Sequence, residues 1–351
     1  MDLFLSIFPI VLLIYLMVKR NAFPSYVALP LIAGLVYLLQ MFYFKNEFVL
    51  LNANIVSAII SVFTPISVIF GAVFFNRMME ASGAMNTLRQ WLGNISPNPV
   101  AQLMIIGWAF AFMLEGASGF GTPVAIAAPI LVGLGFKPMP VVMLALVMNS
   151  VPVSFGAVGT PTWYGFKTLL DSGTINGDDV SKIGQITALI HLIAGFVIPV
   201  LALRFIVSWK EIKQNALFIL ISILSCTLPY FLIAQFNYEF PSLVGGAIGL
   251  FISVWVAGKG IGLSKVEAQE EKQPIAATTL VKAFTPTLLL IVILVLTRIK
   301  QLPFKAMLNN ATDWLHFPLG EMGDLKVTKG LIFSVENIFR TGVSDSYKLL
   351  Y

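Results

Sequence analysis

The residues best suited to do chemistry lie in one short segment, 115–166, of an otherwise apolar chain. The segment opens with the carboxylate of Glu115, and it contains two Gly-Thr-Pro steps, at 121–123 and 159–161. Threonine is a good helix N-cap and proline suits the first helical position, so each step predicts a helix start. Glycines before each step allow the backbone to leave helical geometry there. A helix that begins inside a membrane would present free N–H groups to an anion such as a carboxylate.

Each step also has a plainer interpretation, in which a full helix starts at the membrane surface. Irregular backbone inside a bilayer is tolerated only where it lines a cavity or is buried in protein. The two steps lie 38 residues apart (160 minus 122), both in sequence rich in serine and glycine, and this repetition favours a substrate site. The candidate substrate-binding residues are Ser118, Gly119, Gly121, Thr122, Asn149, Ser154, Gly159 and Thr160.

Two ionisable side chains are candidates for proton coupling. Glu115 follows the apolar run from Met104 to Leu114. A charged side chain at the bilayer centre costs about 2.5–3.5 kcal/mol on insertion scales, so such residues are usually functional. Glu115 therefore either carries a coupled proton or caps backbone N–H groups at a break. His191 lies in the middle of a predicted span, 183–207, and is either a proton relay or a histidine satisfied by helix packing.

The composition indicates a membrane protein. The chain has 351 residues, of which 58% are hydrophobic and 11% are charged, whereas soluble domains average about 25% charged. The net charge of +5 falls in loops between apolar runs, so it carries topology information and predicts no nucleic-acid partner. One cysteine and two histidines form no disulfide framework and no metal or nucleophile–base constellation. No metal, no cofactor and no enzymatic activity is predicted.

The apolar runs predict an all-α polytopic membrane protein with about 8–10 transmembrane helices, some of them broken or re-entrant. Besides the complex region 100–166, the predicted spans are 2–18, 26–44, 55–75, 183–207, 215–235, 241–257 and 279–297. With the N-terminus outside, ten Lys and Arg residues, Lys272 among them, lie on the cytoplasmic side and three lie outside. Region 100–166 must then cross an odd number of times, as a span plus a re-entrant hairpin or as three short crossings.

Residues 76–96 are too polar to span a membrane. Four apolar side chains recur there at helical spacing, which predicts a helix that lies in the membrane interface. These side chains are Met85, Leu88, Trp91 and Leu92.

The charge pattern divides the chain into a first transmembrane half, 1–258, a cytoplasmic linker, 259–276, and the start of a second half, 277–351. The tripeptide Phe-Thr-Pro occurs at 63–65 and again at 284–286, a weak sign of internal repetition. Inverted repeats are usual in secondary transporters, with the site at their interface. The tail after the last predicted span is polar, so the second repeat is expected to be incomplete.

The segment Glu-Gly-Ala-Ser-Gly-Phe-Gly-Thr-Pro-Val-Ala-Ile at 115–126 resembles the signature of the lactate permease family. The stretch Asn-Ser-Val-Pro-Val-Ser-Phe-Gly-Ala-Val-Gly-Thr-Pro at 149–161 resembles the next segment of the same family, in the same order and at similar spacing. The resemblance implies a secondary carrier of the bacterial inner membrane that takes up L-lactate, and often D-lactate or glycolate, together with protons. It also implies an inverted-repeat architecture with re-entrant hairpins, in which 115–123 and 149–161 line the substrate path.

The resemblance has one departure, because members of the family are considerably longer. A truncated gene or a split carrier would explain the difference. The expected partners are lactate, protons and the bilayer, with either a homo-oligomer or a missing C-terminal half as a protein partner. The alternatives are a non-transporting half that needs a partner chain, and a related carrier for another carboxylate or with sodium coupling.

Overall fold

A computed structural model describes residues 1–266, 275–298 and 302–349 of the chain. The helices are α1 Asp2–Val18, α2 Ser25–Phe42, α3 Phe48–Ala81, α4 Ala84–Asn94, α5 Pro99–Ala117, α6 Thr122–Gly133, α7 Pro138–Asn149, α8 Gly156–Gly165, α9 Lys167–Asp171, α10 Gly177–Leu203, α11 Trp209–Gln214, α12 Ala216–Ala234, α13 Pro241–Gly258, α14 Ala277–Arg298 and α15 Pro303–Leu308. The strands are β1 Asp313–Pro318, β2 Asp324–Thr328, β3 Ile332–Ile338 and β4 Val343–Lys348. Residues 267–274 of the linker 259–276, Lys272 among them, lie outside the described residues, so the division into two halves stays a prediction.

The predicted class, a polytopic helical membrane protein, is confirmed. Among the described residues, six helices are long and apolar enough to cross a membrane: α2, α3, α5, α10, α12 and α13. The bent pair α7 and α8 raises the number to seven if the pair forms one span. The sequence predicted about 8–10. The difference lies in three shorter apolar helices, which are α1, α6 and the segment Ala277–Ile293 of α14. An inverted repeat remains a prediction.

One compact unit comprises Met1–Ser67 and Ile299–Tyr351. Its described C-terminal part forms a four-stranded antiparallel sheet in the order β1-β2-β3-β4, which the sequence analysis did not predict. The sheet is fixed to α3 by side chains of β4. The carboxylate of Asp345 accepts hydrogen bonds from Ser57, at 2.8 Å, and from Ser61. The hydroxyl of Tyr347 lies 2.9 Å from that of Ser67.

The second compact unit comprises Val68–Arg298 and contains the segment singled out by the sequence. Its core includes the apolar face of α4, where Met85, Leu88 and Leu92 are buried. Trp91 packs edge-on against Phe284 of α14, with ring centroids 5.4 Å apart. The helix predicted for the membrane interface therefore buries its apolar face against protein, because α14 lies beside it.

A hydrogen-bonded cluster of two asparagines and a serine holds the start of α5 in place. The Oδ1 atom of Asn98 caps the helix by accepting from the backbone N–H groups of Val100 and Ala101. Its Nδ2 atom donates to Oδ1 of Asn215, at 3.0 Å, and to the carbonyl of Ser264, at 3.0 Å. Asn98 and Asn215 are buried. These bonds therefore hold the start of α5 to the residues just before α12 and just after α13.

Helices α5 and α6 form a hairpin, in which the end of α6 lies near the start of α5. A Cβ atom on Gly107, midway along α5, would lie 3.6 Å from Leu131 near the end of α6. Leu134, just after α6, lies against Gly93 of α4, which precedes α5 in the chain. This geometry, followed by the bent pair α7 and α8, fits both arrangements that the sequence left open for 100–166, so the choice between a re-entrant hairpin and three short crossings stays a prediction.

Helix α13 packs against the last two turns of α5 at backbone contact distance. A Cβ atom on Gly116 of α5 would lie 2.1 Å from the backbone nitrogen of Leu243. A Cβ atom on Gly246 of α13 would lie 2.3 Å from the backbone nitrogen of Met113. Small residues at such contacts allow membrane helices to approach closely.

We expect Gly246→Ala to destabilise the fold by about 1–3 kcal/mol, because the added methyl group meets backbone that cannot move aside. Gly133→Ala is the matched control, since a Cβ atom there would meet nothing within 4 Å. The measurement is the melting temperature of the purified protein in detergent. Equal melting temperatures for the two variants would contradict this account of the α5–α13 contact.

Candidate functional site

The first break in the helical backbone lies between α5 and α6. Gly119, Phe120 and Gly121 all have left-handed backbone, with φ of +58°, +51° and +81°. Helix α6 then begins at Thr122 with Pro123 in its first turn, as the Gly-Thr-Pro step predicts. The backbone reverses direction here without a loop, because three consecutive residues adopt a conformation that favours glycine.

The second break lies between α7 and α8, and the segment Val153–Gly165 is bent by 65° from α7. After a short 3-10 turn at Val153–Phe155, three consecutive residues take left-handed backbone: Ala157 at φ 42°, Val158 at φ 55° and Gly159 at φ 74°. The right-handed helix resumes at Thr160, where the sequence placed the second start. Left-handed backbone at a β-branched residue such as Val158 is strained, and such strain is typical of functional sites.

The two breaks meet in space. A Cβ atom on Gly119 of the first break would lie 2.9 Å from the Cβ atom of Ala157 in the second. A Cβ atom on Gly156 would lie 2.2 Å from Oε1 of Glu115. The glycines at these positions therefore allow the backbone of one break to lie directly on the other.

Glu115 lies at this junction with 1% of its surface exposed. Its Oε2 atom accepts a hydrogen bond from Nδ2 of Asn149 at 3.1 Å, which links the end of α5 to the end of α7. In the described part of the chain, no Lys, Arg or His nitrogen lies within 4 Å of this carboxylate. An ionised carboxylate in such surroundings is costly, which suits a group that binds and releases a proton.

At the second break, two backbone carbonyls accept hydrogen bonds from side-chain hydroxyls instead of from helical N–H groups. The hydroxyl of Tyr230 on α12 donates to the carbonyl of Val151 at 3.4 Å. The hydroxyl of Ser242 on α13 donates to the carbonyl of Pro152 at 2.6 Å. Since a freed carbonyl inside a membrane has no water to bond, these two hydroxyls stabilise the bent conformation.

Tyr230 and Ser242 are not among the residues that the sequence predicted. A tyrosine beside a proline in the middle of an apolar span was the available signal for Tyr230. The signal for Ser242 was a hydroxyl that directly follows the proline at a helix start. Neither pattern predicts which carbonyl accepts the hydrogen bond from the hydroxyl.

The predicted hydroxyl residues occupy the breaks but bind mostly to their own segments. Ser118 donates to the carbonyl of Leu114 at 2.9 Å, and Thr160 donates to the carbonyl of Ala157. The hydrogen of each hydroxyl therefore already forms a hydrogen bond. A substrate could bind these hydroxyls only by donating a hydrogen bond to their oxygen atoms. Ser154 contributes its backbone carbonyl, which accepts from Thr162 at 2.7 Å.

In the first turn of α6, most backbone donors are occupied. The N–H groups of Thr122 and Ala125 donate to the carbonyls of Gly119 and Gly121, and proline at position 123 has no N–H. This leaves the N–H of Val124 as the donor without a backbone partner in this turn, where it could bind an anion.

A third helix start adjoins the two breaks. A Cβ atom on Gly159 would lie 2.7 Å from the carbonyl oxygen of Tyr238, and Glu239 follows at once. Helix α13 begins two residues later at Pro241, and its first turn contacts Gly116. The segments that begin α6, α8 and α13 therefore lie against one another or against the end of α5, and helix N-termini favour anions.

His191 reaches the site through Tyr230. Its Nδ1 atom lies 2.6 Å from the hydroxyl oxygen of Tyr230, whose ring packs between Phe112 and Phe155. The structure therefore identifies the partner that the sequence could not, and it joins His191 to the second break rather than directly to Glu115. Among the described residues, no group of three or more His, Cys, Asp or Glu side chains could hold a metal ion.

Comparison with known proteins gives a consistent result. A profile of the L-lactate permease family matches residues 2–351. A Haemophilus influenzae protein named "Putative L-lactate permease" is 65% identical over 347 residues, 99% of this chain and 64% of the relative. The L-lactate permease of Escherichia coli K12 is 28% identical over 85% of this chain and 55% of its own length. The glycolate permease GlcA of Escherichia coli K12 is 29% identical over 68% of this chain and 45% of its own length.

The chain therefore spans about half to two thirds of the length of these relatives. No solved structure matches it.

We expect Gly119→Ala to lower the melting temperature more than Gly121→Ala. Both positions have positive φ, so each substitution costs about 1–2 kcal/mol of backbone strain. Only at Gly119 does the new methyl group also meet Ala157, since a Cβ atom on Gly121 meets nothing within 4 Å. Adding Ala157→Gly to Gly119→Ala should restore part of the loss. Equal losses in the two single variants would show that the breaks do not touch.

Proposed function

Because the chain belongs to the L-lactate permease family, we propose that it is a secondary carrier that takes up lactate together with protons across the bacterial inner membrane. Its substrates are 2-hydroxy monocarboxylates: L-lactate, and also D-lactate and glycolate. The observation that carries the proposal is the meeting of two broken helices around the buried carboxylate of Glu115. Broken helices at a buried polar site are the usual substrate-binding device of secondary transporters.

The substrate carboxylate binds at the helix N-termini that face the junction. The starts of α6 and α8 each carry partial positive charge, and the N–H of Val124 is available to an anion. Substrate and Glu115 would then lie close together. Two carboxylates in one buried site repel each other unless one of them is protonated, which supports coupling of substrate to a proton.

The substrate hydroxyl binds to Asn149. The Nδ2 atom of Asn149 donates to Glu115, while its Oδ1 atom is buried and has no hydrogen-bond partner among the described residues. A buried acceptor without a donor costs about 1–3 kcal/mol, and the hydroxyl of lactate or glycolate can supply the missing donor. The oxygens of Ser118 and Thr160 are further acceptors for that hydroxyl.

Glu115→Gln should abolish accumulation of L-lactate driven by a proton gradient while lactate exchange at equal pH persists. Glutamine retains a carbonyl oxygen to accept from Asn149, but it cannot carry a proton. The measurement is uptake and exchange of labelled L-lactate in proteoliposomes, with Asp178→Asn as the control because Asp178 is an exposed carboxylate. Proton-driven accumulation at the unaltered level would remove Glu115 from the coupling step.

The same assay separates the alternatives. Accumulation that follows an imposed sodium gradient and ignores a proton gradient would indicate sodium coupling. Exchange of other carboxylates in preference to lactate would indicate a related anion carrier. Transport that appears only when a further protein segment is co-expressed would indicate that the chain works as one half of a carrier.

Asn149→Leu should reduce discrimination between L-lactate and propionate, which lacks the hydroxyl group. A site built to bind a hydroxyl disfavours the analogue without it, by about 1–3 kcal/mol for one unpaired group. The measurement is competition by propionate against labelled lactate in exchange. Ser150→Ala is the matched control, since the hydroxyl of Ser150 is exposed and donates to the carbonyl of Val147. Unchanged discrimination in Asn149→Leu would mean that the hydroxyl binds elsewhere.

A further inference from the structure

A groove between α2 and α3 is large enough to hold a ligand. Its volume is about 440 Å³, and small-molecule sites commonly have volumes of about 300–1,000 Å³. Its walls are side chains of α2 between Ala33 and Gln40 and side chains of α3 between Leu50 and Ala58, with Asn46 of the connecting loop. The groove lies within the first compact unit, whereas Glu115 belongs to the second, so it is distinct from the lactate site proposed above.

The polar side chains of the groove all lie near the loop 43–47. They are Tyr37, Gln40, Asn46 and Asn54. At a rise of 1.5 Å per residue, those on the helices lie within about 9 Å of the helix ends that adjoin this loop. Ala33 and Ala58, which line the other end of the groove, lie about 14 Å and 15 Å from the same helix ends. The groove is therefore polar beside the loop and apolar at its far end.

This polarity follows the depth of a bilayer. The 18 residues of α2 span about 27 Å, close to the hydrocarbon thickness of about 30 Å, so the loop 43–47 lies at the membrane surface. Tyr43 begins that loop, and tyrosine is enriched at membrane surfaces. The far end of the groove then lies about 15 Å deep, near the middle of the bilayer. One leaflet therefore provides an acyl chain of the required length.

The chemistry of the polar end suits a neutral acceptor. No charged side chain of the described residues lines the groove, and in the adjoining loop the charges of Lys45 and Glu47 cancel. Asn46 donates to Gln40, and Asn54 donates to the carbonyl of Leu50. Each amide group has two N–H donors, and these bonds use one of them. The second can bind an ester carbonyl of a lipid, whereas a bare carboxylate would lack a countercharge in the lining.

Helices α2 and α3 are in contact with the bilayer over most of their length. Only 11% of the α2 span and 6% of the α3 span are buried inside the described protein. Tyr37 on α2 donates to Asn52 on α3 at 3.3 Å, which joins the two helices beside the groove. A lipid can therefore enter the groove from the side, and a bound acyl chain would fill the space between the helices.

We propose that the groove binds one phospholipid. Its ester carbonyls accept hydrogen bonds from Asn46 and Asn54, and one acyl chain runs along the groove to Ala33 and Ala58. The site goes beyond the proposed function, because it recognises a lipid and not the transported anion. Since the lining reads the ester region, binding does not depend on the charge of the headgroup.

Two substitutions fill the groove, one from each wall. Ala33→Phe fills it from α2, and Ala58→Phe fills it from α3. Gly34→Phe and Gly71→Phe are the matched controls on the same helices, because a Cβ atom at either glycine meets nothing within 4 Å. The measurement is native mass spectrometry of the purified protein in detergent, titrated with palmitoyl-oleoyl phosphatidylethanolamine or phosphatidylglycerol.

The parent protein and both controls should retain one phospholipid, and the two filled variants should bind it at least about tenfold more weakly. Displacing about two buried CH₂ groups of the acyl chain accounts for a change of that size. The two lipids should bind the parent protein within about twofold of each other. Added phospholipid should also raise the melting temperature of the delipidated parent and controls, and raise it less in the filled variants, because a ligand of the folded state stabilises it by mass action.

Three results would overturn the lipid site. The first is unaltered retention in both filled variants, and the second is a marked preference for the anionic phosphatidylglycerol. The third is a parent protein that retains no more phospholipid than its detergent micelle, which would leave the groove to detergent or to a protein helix. A filled variant that fails to fold is judged from its companion on the other helix. Retention of lipid by a chain that exchanges no lactate would support the lipid site and overturn the proposed function.

Discussion

The structure depends on one constraint: backbone that leaves helical geometry inside a membrane must find hydrogen-bond partners within the protein. Two segments leave it, after α5 and after α7, and they meet where Gly119 of the first contacts Ala157 of the second. At the second break, the freed carbonyls of Val151 and Pro152 accept from hydroxyls on two other helices. At the second break, the neighbouring helices therefore supply hydrogen-bond donors that lipid cannot.

Close approach of backbone is the second requirement, and it explains the glycines of the region. At Gly116, Gly156 and Gly246 a single added carbon would meet another atom within 2.3 Å. Contacts this close leave no room for gradual adjustment, because packed interiors respond to strain by changing to another discrete arrangement. Such packing would suit the proposed carrier. A carrier needs a well-defined substrate-bound conformation and a discrete change to the next conformation.

The polar groups of the junction are connected in series across four helices. Glu115 binds Asn149 at the start of the second break, and Tyr230 reaches the same break two residues later from the side of His191. Glu115 is therefore attached to this region by one hydrogen bond, and His191 is attached to it through Tyr230.

Local sequence determined which segments would break. The Gly-Thr-Pro steps placed both helix starts correctly, at Thr122 and Thr160, since capping and proline preferences act over a few residues. Apolar runs likewise placed the long helices, because the length of a membrane span is set by bilayer thickness. The polar tail was different. Its short strands pair only with one another in a four-stranded sheet, and a polar composition gave no local indication of that pairing.

Only the tertiary structure decided which side chains satisfy the breaks. Asn149 lies 34 positions from Glu115, Tyr230 lies 79 from Val151, and Ser242 lies 90 from Pro152. Such partners are chosen by the packing of helices that are distant in sequence, and no periodicity or spacing in one chain encodes the choice. The sequence thus indicated that the backbone opens at 118–121 and 150–159, and the fold decided that the two openings contact each other, because that contact depends on how helices distant in sequence pack.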